Sequence, residues 1–460
     1  MLGLVPPAEK SDLSLSFSAS DYSLLTDLYQ VTMSACYVNE KLAERPASFE
    51  LTVRRMPSGY GYLIAMGLAQ VLDYLQNLRF SGEQIEYLKQ TDLLTAAPAH
   101  FWEMLAQGRF TGDVWAVPEG TAVFANEPFL RIEAPFWQAQ WIETFLLNAI
   151  NYQTLIATRA ARLRDMAGPD ATVLEFGTRR AFGPQASVWA ARAALAAGLD
   201  ATSNVLAAQK LGRQPSGTMA HALVMAMTAT QGTELQAFTA FHRMFPKAAL
   251  LIDTYDTIAA AQTLAHQVKA GELEVPAVRL DSGDLVELSQ EIHQLLPDTQ
   301  ILVSGDLDEL EIQRLRQASA LIHGYGVGTK LVTGTPVNGV YKLVEIDGNP
   351  VMKEANGKLT YPGRKQIFRQ SKQGQVVKDC LGLMDDASAM GQPLLQPVMK
   401  AGQRLVVPES LADIAQRTLA AVHSLPTTVR QVDDPSPMTV QLSTELEALT
   451  SATRRTAQKR

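Results

Sequence analysis

The chain has 460 residues, 47% hydrophobic and 19% charged, with a formal net charge of -7, which indicates a globular protein of about two or three domains without disorder. The acidic balance argues against nucleic acid or an anionic membrane as a partner, so any site for an anion must be local. Only two cysteines are present and neither a secretion signal nor a long apolar run is found, so a cytoplasmic protein without disulfides, zinc spacing or membrane spans is expected.

Residues 1–136 alternate between helical and strand patterns and predict a mixed α+β domain. Its first helix has apolar residues at helical spacing, and Thr26 or Asp27 stands where a capping side chain is expected. The predicted elements are a loose lead-in over 1–20, a helix over Tyr22–Met33, a strand over Phe49–Arg54, helices up to about residue 107 and a small β domain from Gly112 to Pro135.

Residues 137–335 have the pattern of an α/β barrel, in which an apolar helix over Trp137–Met166 precedes strands that alternate with helices. Five apolar strands each run directly into polar residues or glycine. Parallel strands whose carboxyl ends meet at a reactive site have this appearance. The five strand ends are marked by Glu175, Asp253, Asp281, Asp306 and Gly328.

Residues 336–460 predict a segment that returns to the N-terminal domain and ends in helices. Strands over Tyr341–Ile346 and Val351–Lys353 flank a turn of the Asp-Gly-Asn type and predict a hairpin. The remaining predicted elements are helices over 408–424 and 442–450 and a basic, frayed tail over Arg454–Arg460.

Four acids, Asp253, Asp281, Asp284 and Asp306, cluster at these strand ends and suit Mg²⁺ or the hydroxyls of a sugar. Any one of them could instead cap the helix that follows it. Arg279 lies inside an apolar strand, where an unpaired guanidinium is costly, so it is expected to meet an acid or an anionic ligand.

Three further segments carry residues of the kind that bind or react. His221 follows a small turn at Ser216–Thr218 and precedes an apolar helix, which favours a reactive histidine over a satisfied interior one. Gly326–Lys330 is rich in glycine and supplies backbone N–H donors for a phosphate. Phe176–Arg180 places an aromatic ring next to two cations, which suits a flat anionic ligand.

Together these segments resemble the nicotinate phosphoribosyltransferase family, from about Tyr22 to Gln366 and in unbroken order. The resemblance implies a type II phosphoribosyltransferase, with an irregular TIM-like α/β barrel beside a mixed N-terminal domain, acting as a homodimer with sites at the interface. The segments that carry it are Thr26–Gln30, Glu175–Arg180, Gly217–His221, Ile252–Asp256, Arg279–Asp284, Ser304–Asp306, Gly326–Thr329 and Tyr361–Gln366.

The implied enzyme is of the ATP-coupled ligase type and serves NAD salvage. It joins nicotinate to 5-phosphoribosyl-1-pyrophosphate, with ATP as co-substrate and Mg²⁺ as cofactor. By the same resemblance His221 matches a histidine that ATP phosphorylates. Asp253 and Asp281 match catalytic acids beside it and are the candidate ligands of Mg²⁺, directly or through water.

The resemblance also assigns the substrate contacts. Tyr29 of the partner subunit and Phe176 match the aromatics that sandwich the pyridine ring, Arg179 matches a cation beside it, and Arg279 acts with Asp281 beside base and ribose. The remaining matches are Thr218 and Ser203 near the base and Gly305, Asp306, Gly326, Gly328 and Thr329 in the lip that holds the ribose 5′-phosphate.

The nearest alternative is the relative that uses nicotinamide, in which an acid faces the amide of the ring. Here Ser203 stands at that position, and a hydroxyl can donate to a carboxylate that an acid would repel. Quinolinate phosphoribosyltransferase is shorter and lacks the histidine. A barrel lyase or aldolase would need a Schiff-base lysine or a lone base at a strand end, and neither is found in 249–306. A purely ligand-binding or scaffold protein would have lost the acids and the histidine, which are present.

Overall fold

Two large sheets organise the chain, one of seven antiparallel strands and one of six parallel strands, and a four-stranded sheet and two short pairs complete the strand pairing. The computed structural model describes residues 15–355, 358–386 and 389–458, so most of the predicted lead-in lies outside the described residues. No helix in these ranges combines the length and the apolar composition that crossing a bilayer requires.

The N-terminal elements begin with a helix that starts at Leu28 rather than at Tyr22. Asp27 stands at the N-cap position of α1, as one of the two predicted alternatives, but its side chain makes no capping hydrogen bond. Both side chains form tertiary hydrogen bonds instead: Thr26 donates to the carbonyl of Trp141 (3.1 Å) and Asp27 accepts from Thr144 (2.8 Å). The elements are α1 (Leu28–Asn39), β1 (Pro46–Thr52), β2 (Leu63–Ile64), α2 (Leu68–Asn77), α3 (Gly82–Lys89), α4 (Ala99–Ala106), β3 (Asp113–Ala116), β4 (Ala122–Val123) and β5 (Pro128–Pro135).

The central elements contain the predicted long apolar helix as two helices that meet at Ile142. The elements are α5 (Phe136–Trp141), α6 (Glu143–Ala167), β6 (Thr172–Glu175), α7 (Pro184–Ala196), β7 (Ala201–Thr202), α8 (Val205–Lys210), α9 (His221–Gln231), α10 (Glu234–Met244), β8 (Leu250–Leu251), α11 (Thr257–Lys269), β9 (Ala277–Leu280), α12 (Leu285–Leu295), β10 (Gln300–Ser304), α13 (Glu309–Gln317), β11 (Gly324–Val327) and α14 (Thr329–Val332).

The six central strands form one parallel sheet in the order β7-β6-β11-β10-β9-β8. The five strands read from the sequence are all present, with β7 as a sixth. Because every pair is parallel, all six carboxyl ends lie along one edge of the sheet. β7 and β8 are the two edge strands and do not pair in the described part of the chain, so the strand pairing does not confirm a closed barrel.

The C-terminal elements return to the first sheet, where β12 pairs with β1 and β19 pairs with β3. Short strands of the region predicted to be a small β domain are therefore central members of this shared sheet. The elements are β12 (Val340–Ile346), β13 (Asn349–Pro350), β14 (Glu354–Ala355), β15 (Lys358–Leu359), β16 (Lys365–Lys372), β17 (Gln375–Leu383), β18 (Gln392–Pro393), β19 (Gln396–Lys400), β20 (Gln403–Arg404), α15 (Leu411–His423), α16 (Thr427–Arg430), β21 (Gln441–Leu442) and α17 (Thr444–Gln458).

Two expectations for this last part have different outcomes. The predicted hairpin is confirmed by β12 and β13, but its second strand is Asn349–Pro350, so Asn349 lies in the strand rather than in the turn and Val351–Lys353 form no strand. The tail predicted to fray at Arg454 is wrong over its described residues, because α17 continues to Gln458 and Arg454 forms an ion pair with Glu354 (2.7 Å).

Buried charge joins the seven-stranded sheet to the four-stranded sheet. Lys365 of β16 meets Glu50 of β1 at 2.9 Å, and both side chains are almost completely buried. Burial lowers the pKa of the Lys365 ammonium, while the charge of Glu50 opposes that shift. In α6, Arg162 pairs with Glu309 (2.9 Å), lies 4.8 Å from the centre of the Tyr60 ring and so connects the parallel sheet region to the N-terminal region.

Candidate active site at the carboxyl edge of the parallel sheet

Asp253, directly beyond β8, is the acid around which this edge of the sheet is assembled. Its side chain is only 1% exposed. One carboxylate oxygen lies 3.1 Å from Nε2 of His221, and the other accepts hydrogen bonds from the backbone N–H of Asp281 (2.8 Å) and the hydroxyl of Ser282 (2.7 Å). The structure therefore brings His221, Asp253 and Asp281 together, as the sequence predicts.

His221 is the first residue of α9, and its ring is 39% exposed. Since a carboxylate can only accept, the contact with Asp253 favours the tautomer that has its proton on Nε2. Nδ1 has no hydrogen-bond partner among the described residues and keeps its lone pair available. The ring is thus oriented as a nucleophile with one free nitrogen.

Arg279 of β9 is half-buried and donates to the hydroxyl of Thr218 (3.0 Å) and to the carbonyl of Met219 (3.0 Å). The expected acid partner is not found as a direct ion pair in the described ranges, and Nε is buried without a hydrogen-bond partner there. Burial lowers the pKa of this guanidinium; Asp281 and Asp253 oppose the shift and the nearby Arg179 adds to it. Two neighbouring cations at this edge would favour an anionic ligand.

The lip predicted to hold a phosphate lies beyond β10 and β11. Gly305 has φ +91°, and a Cβ there would lie 2.3 Å from the carbonyl oxygen of Asp281, so only glycine fits. Asp306 also has positive φ, at +44°, and is exposed like Thr329. Gly328 precedes the short α14, whose Lys330 is held by Asp308 at 2.8 Å.

Phe176, just beyond β6, is positioned by contacts with the neighbouring strand β11. Its backbone N–H donates to the carbonyl of Val327 (2.8 Å), and a Cβ on Gly326 would approach the Phe176 ring to 2.5 Å. The missing side chain at Gly326 therefore makes room for this ring. Ser203 follows the adjacent strand β7, and its N–H donates to the carbonyl of Glu175 (2.9 Å), which places Ser203 and Phe176 on neighbouring strand ends.

Two predicted site residues are elsewhere. Tyr29 of α1 lines a separate cavity of about 430 Å³ together with Asp27, Thr144 and Phe182, so the single chain does not bring it against Phe176. Asp284 caps α12, since its carboxylate accepts from the N–H groups of residues 286 (2.9 Å) and 287 (3.3 Å). The capping alternative is thus correct for Asp284.

This site fits Mg²⁺ only if the protein supplies a few of the ligands and water and substrate supply the others. The described residues contain no group of three or more His, Cys, Asp or Glu side chains that could hold a metal ion. Asp253 has both oxygens engaged. Asp281 is exposed, and of its two oxygens only Oδ1 accepts a hydrogen bond, from Ser304. Such a site suits Mg²⁺ that takes one or two carboxylates from the protein and the rest of its ligands from water and substrate phosphates.

Sequence reasoning missed a group of cations formed by Arg54, Arg55 and Lys358. They line a cavity of about 760 Å³ and make no ion pair or side-chain hydrogen bond with any described residue; Nε of Arg54 is buried without a partner there. The cavity shares Pro336 and Val337 with the cavity that contains Tyr29. Two adjacent arginines directly after β1 are the signal that could have found them.

Three family models match successive parts of the chain. The nicotinate phosphoribosyltransferase (NAPRTase) N-terminal domain matches residues 24–151, the nicotinate phosphoribosyltransferase (NAPRTase) family matches 171–373, and the nicotinate phosphoribosyltransferase C-terminal domain matches 384–450.

Curated relatives carry the same name. Nicotinate phosphoribosyltransferase pncB2 of Mycobacterium tuberculosis is 40% identical over 423 residues, which cover 90% of this chain and 89% of that protein. Nicotinate phosphoribosyltransferase of Bacillus subtilis is 41% identical over 374 residues, covering 78% and 75%.

Two solved structures have a similar fold. Human nicotinic acid phosphoribosyltransferase superposes with a TM-score of 0.80 at 29% identity, over 93% of this chain and 99% of that one. Nicotinate-nucleotide pyrophosphorylase from Pyrococcus furiosus gives a TM-score of 0.72 at 25% identity, over 89% and 98%.

The unpaired cations generate a first prediction. Arg54→Gln and Arg55→Gln should each weaken the binding of inorganic diphosphate by about tenfold, because each change removes charge-assisted hydrogen bonds to an anion. Isothermal titration calorimetry at low ionic strength measures the affinity for diphosphate. Arg45→Gln is the matched control, because Asp347 already pairs with that guanidinium. Equal affinities for all three variants and the wild type would exclude this cavity as an anion site.

Proposed function

The chain belongs to the nicotinate phosphoribosyltransferase family, and from that membership we propose that it forms nicotinate mononucleotide and pyrophosphate from nicotinate and 5-phosphoribosyl-1-pyrophosphate in NAD salvage, with coupled hydrolysis of ATP. The observation that carries the proposal is the succession of three family matches along one chain whose predicted reactive residues His221, Asp253 and Asp281 are in contact.

The base would bind at the ends of β6, β7 and β9. We assign the face of the pyridine ring to Phe176 and its carboxylate to the cations Arg179 and Arg279, with the hydroxyl of Ser203 as a further donor. Their support is the placement of Phe176 and Ser203 on adjacent strand ends and of the two guanidinium groups close enough to affect one another. An aromatic face with nearby cations is what a flat pyridine carboxylate requires.

The ribosyl group would react between the acids and the phosphate lip. Displacement of pyrophosphate develops positive charge at the ribose carbon, and we assign its stabilisation to the exposed carboxylate of Asp281. Gly305, Asp306, Gly328 and Thr329 would hold the 5′-phosphate. Bound Mg²⁺ would supply charge neutralisation for the departing pyrophosphate. Further positive charge would come from Arg54, Arg55 and Lys358 in the cavity of about 760 Å³, of the same subunit or of its partner.

His221 would accept the phosphoryl group of ATP on Nδ1, the nitrogen that the contact with Asp253 leaves free. The transfer breaks the bond between the γ-phosphorus and its bridging oxygen, forms a phosphorus–nitrogen bond and releases ADP. The proton stays on Nε2, which donates it in the hydrogen bond to Asp253, and the carboxylate stabilises the positive charge that develops on the ring. The phosphohistidine would add negative charge beside the acids and is later hydrolysed to phosphate.

Further parts of the proposal concern assembly and setting. We propose a homodimer in which Tyr29 of one protomer completes the base site of its partner, since Tyr29 is 47% exposed and lies away from Phe176 of its own chain. Helices α8 to α10 occupy the connection between β7 and β8 and would complete an irregular barrel. A cytoplasmic location fits the two unpaired cysteines, Cys36 and Cys380.

Substrate choice tests the function directly. With 5-phosphoribosyl-1-pyrophosphate, Mg²⁺ and ATP, the protein should form mononucleotide from nicotinate far faster than from nicotinamide. Ser203→Asp should raise the KM for nicotinate by about tenfold or more, because two carboxylates at short range repel each other. Ser203→Ala is the control, since it removes the hydroxyl without adding charge. A wild-type preference for nicotinamide at equal concentration would identify the alternative substrate as the correct one.

Exchange of subunits tests the shared site. Tyr29→Ala and His221→Ala should each be inactive or nearly so, and a mixture that has exchanged subunits should recover activity, because each mixed dimer contains one site with both residues intact. An equal mixture should approach about a quarter of the wild-type rate, since half of the dimers are mixed and half of their sites are complete. Mass spectrometry of tagged chains measures the exchange. Proven exchange without recovery would place Tyr29 outside the partner's site.

Labelling tests the role of His221. Incubation with γ-labelled ATP and Mg²⁺ should give acid-labile label on the wild-type protein and none on His221→Ala, because the phosphorus–nitrogen bond hydrolyses in acid and a phosphoserine does not. His221→Ala should also lose the stimulation of mononucleotide synthesis by ATP. His266→Ala, on α11 and exposed, is the matched control and should label normally. Acid-stable label, or full ATP stimulation of His221→Ala, would contradict the assignment.

A further inference from the structure

Glu175, the last residue of β6, is a fully buried carboxylate that none of the proposed chemical steps uses. One of its oxygens accepts from the N–H of Gly177 and the other from the hydroxyl of Thr202. Glu175 forms no ion pair with a described lysine, arginine or histidine. Burial raises the pKa of this carboxyl, while its two hydrogen bonds oppose the shift. A buried carboxylate is costly and persists only where it is well hydrogen-bonded.

All three oxygens of Glu175 hold the two loops that would contact the base. Its side chain binds Gly177, the residue after Phe176, and its backbone carbonyl accepts from the N–H of Ser203. Gly177 is tightly enclosed, because a Cβ there would lie 2.2 Å from Val332 and 2.9 Å from the Glu175 carboxylate. Glu175 therefore binds the residue next to Phe176 on one strand end and Ser203 itself on the next.

Thr202 extends the same link into the next helix. Its hydroxyl donates to Glu175 and accepts from the N–H of Asn204 (2.9 Å), so it is used in both directions. Asn204 in turn caps α8 through the N–H of Ala207 (2.9 Å) and donates to Ser187 of α7 (3.2 Å). Thr202 is completely buried and Asn204 almost so. A single hydroxyl thus connects the carboxyl ends of β6 and β7 to two helices.

We propose that Glu175 and Thr202 are positioning residues that set the spacing between Phe176 and Ser203 and thereby the selectivity of the base site for a pyridine carboxylate over the corresponding amide. The inference rests on the proposed function, because it assigns the discrimination to the site that would bind the base. Neither residue needs to touch the substrate. Reacting groups must be held to within a fraction of an ångström, so a loose support is expected to reduce selectivity more than stability.

Thr202→Val is the sharpest test, because valine keeps the shape of the side chain and removes the hydroxyl that Glu175 and Asn204 both use. Thr202→Val should raise the KM for nicotinate about tenfold, because it leaves the buried groups of Glu175 and Asn204 unsatisfied and so loosens the base site. It should also lower the ratio of kcat/KM for nicotinate to kcat/KM for nicotinamide. The KM for 5-phosphoribosyl-1-pyrophosphate should change less than about twofold. Thr202→Ser keeps the hydroxyl and should restore the nicotinate KM.

Thr418→Val is the matched control. Thr418 of α15 is also completely buried, and its hydroxyl binds the carbonyls of Ala196 (3.0 Å) and Ile414 (3.0 Å), away from the carboxyl edge of the sheet. Thr418→Val should lower the thermal midpoint of unfolding about as much as Thr202→Val does, without changing the selectivity for nicotinate over nicotinamide. Glu175→Gln is a second variant, which keeps nearly the same side-chain volume and replaces Thr202→Val in the test if that variant does not fold. It should also raise the KM for nicotinate and lower the selectivity for nicotinate.

The outcomes separate the two proposals. A wild-type protein that does not use nicotinate overturns the proposed function. A wild-type protein that uses nicotinate, with Thr202→Val and Glu175→Gln both unchanged in selectivity or both weakened equally toward the base and 5-phosphoribosyl-1-pyrophosphate, overturns the positioning role alone. A selective rise in the nicotinate KM, reversed in Thr202→Ser and absent in Thr418→Val, supports it.

Discussion

The buried carboxylate of Asp253 is the contact on which the arrangement of the site depends. It binds side-chain or backbone groups of His221, Asp281 and Ser282, which belong to two different parts of the chain. A carboxylate that is 1% exposed would be unfavourable without these donors. The position of His221, the path of the chain after β9 and the tautomer of the imidazole are therefore coupled through one side chain.

Glu175 has a corresponding position on the other half of the sheet. Glu175 bridges β6 and β7 as Asp253 bridges the ends of β8 and β9, and in both cases the carboxylate accepts hydrogen bonds from backbone N–H and hydroxyl groups rather than from a lysine or arginine. Of these two acids, only Asp253 contacts a histidine, His221, which is the proposed acceptor of the phosphoryl group. Two buried acids at strand ends thus have different proposed tasks: Asp253 would orient the histidine that we propose as nucleophile, and Glu175 would space the walls of the base site.

Close backbone approach also shapes this edge, and glycine makes it possible. Gly305 allows β10 to leave the sheet against the carbonyl of Asp281, and Gly326 leaves space for the ring of Phe176. Side chains at either position would displace the acid or the aromatic that the site needs. Arg279 at this edge, and Arg54 and Arg55 in the cavity of about 760 Å³, have no direct carboxylate partners among the described residues, which leaves their charge available to an anion.

How much of this could be read in advance differs between elements. Apolar runs that end in polar residues located the five strands, since the pattern follows from burial of both faces of a parallel sheet. Local patterns failed where tertiary hydrogen bonds compete with local ones: Asp27 does stand at the N-cap of α1, but the side chains of Thr26 and Asp27 bind residues about 115 positions away instead of the first N–H groups of the helix. The extent of α17 was likewise missed, because Arg454 is paired with Glu354, a hundred positions earlier in the chain.

The sequence by itself determined the chemical inventory of this protein: the acids, the histidine, the arginines and the glycines, and the edge of the sheet at which they would meet. Only the tertiary structure decided which of them cooperate. It joined Asp253 to His221, assigned Asp284 to capping, showed that Glu175 and Thr202 are linked, and placed Tyr29 at a separate cavity. The reason is physical: residue type and period report burial and local geometry, whereas a hydrogen bond between distant segments depends on how strands are ordered in the sheet, which no local pattern contains.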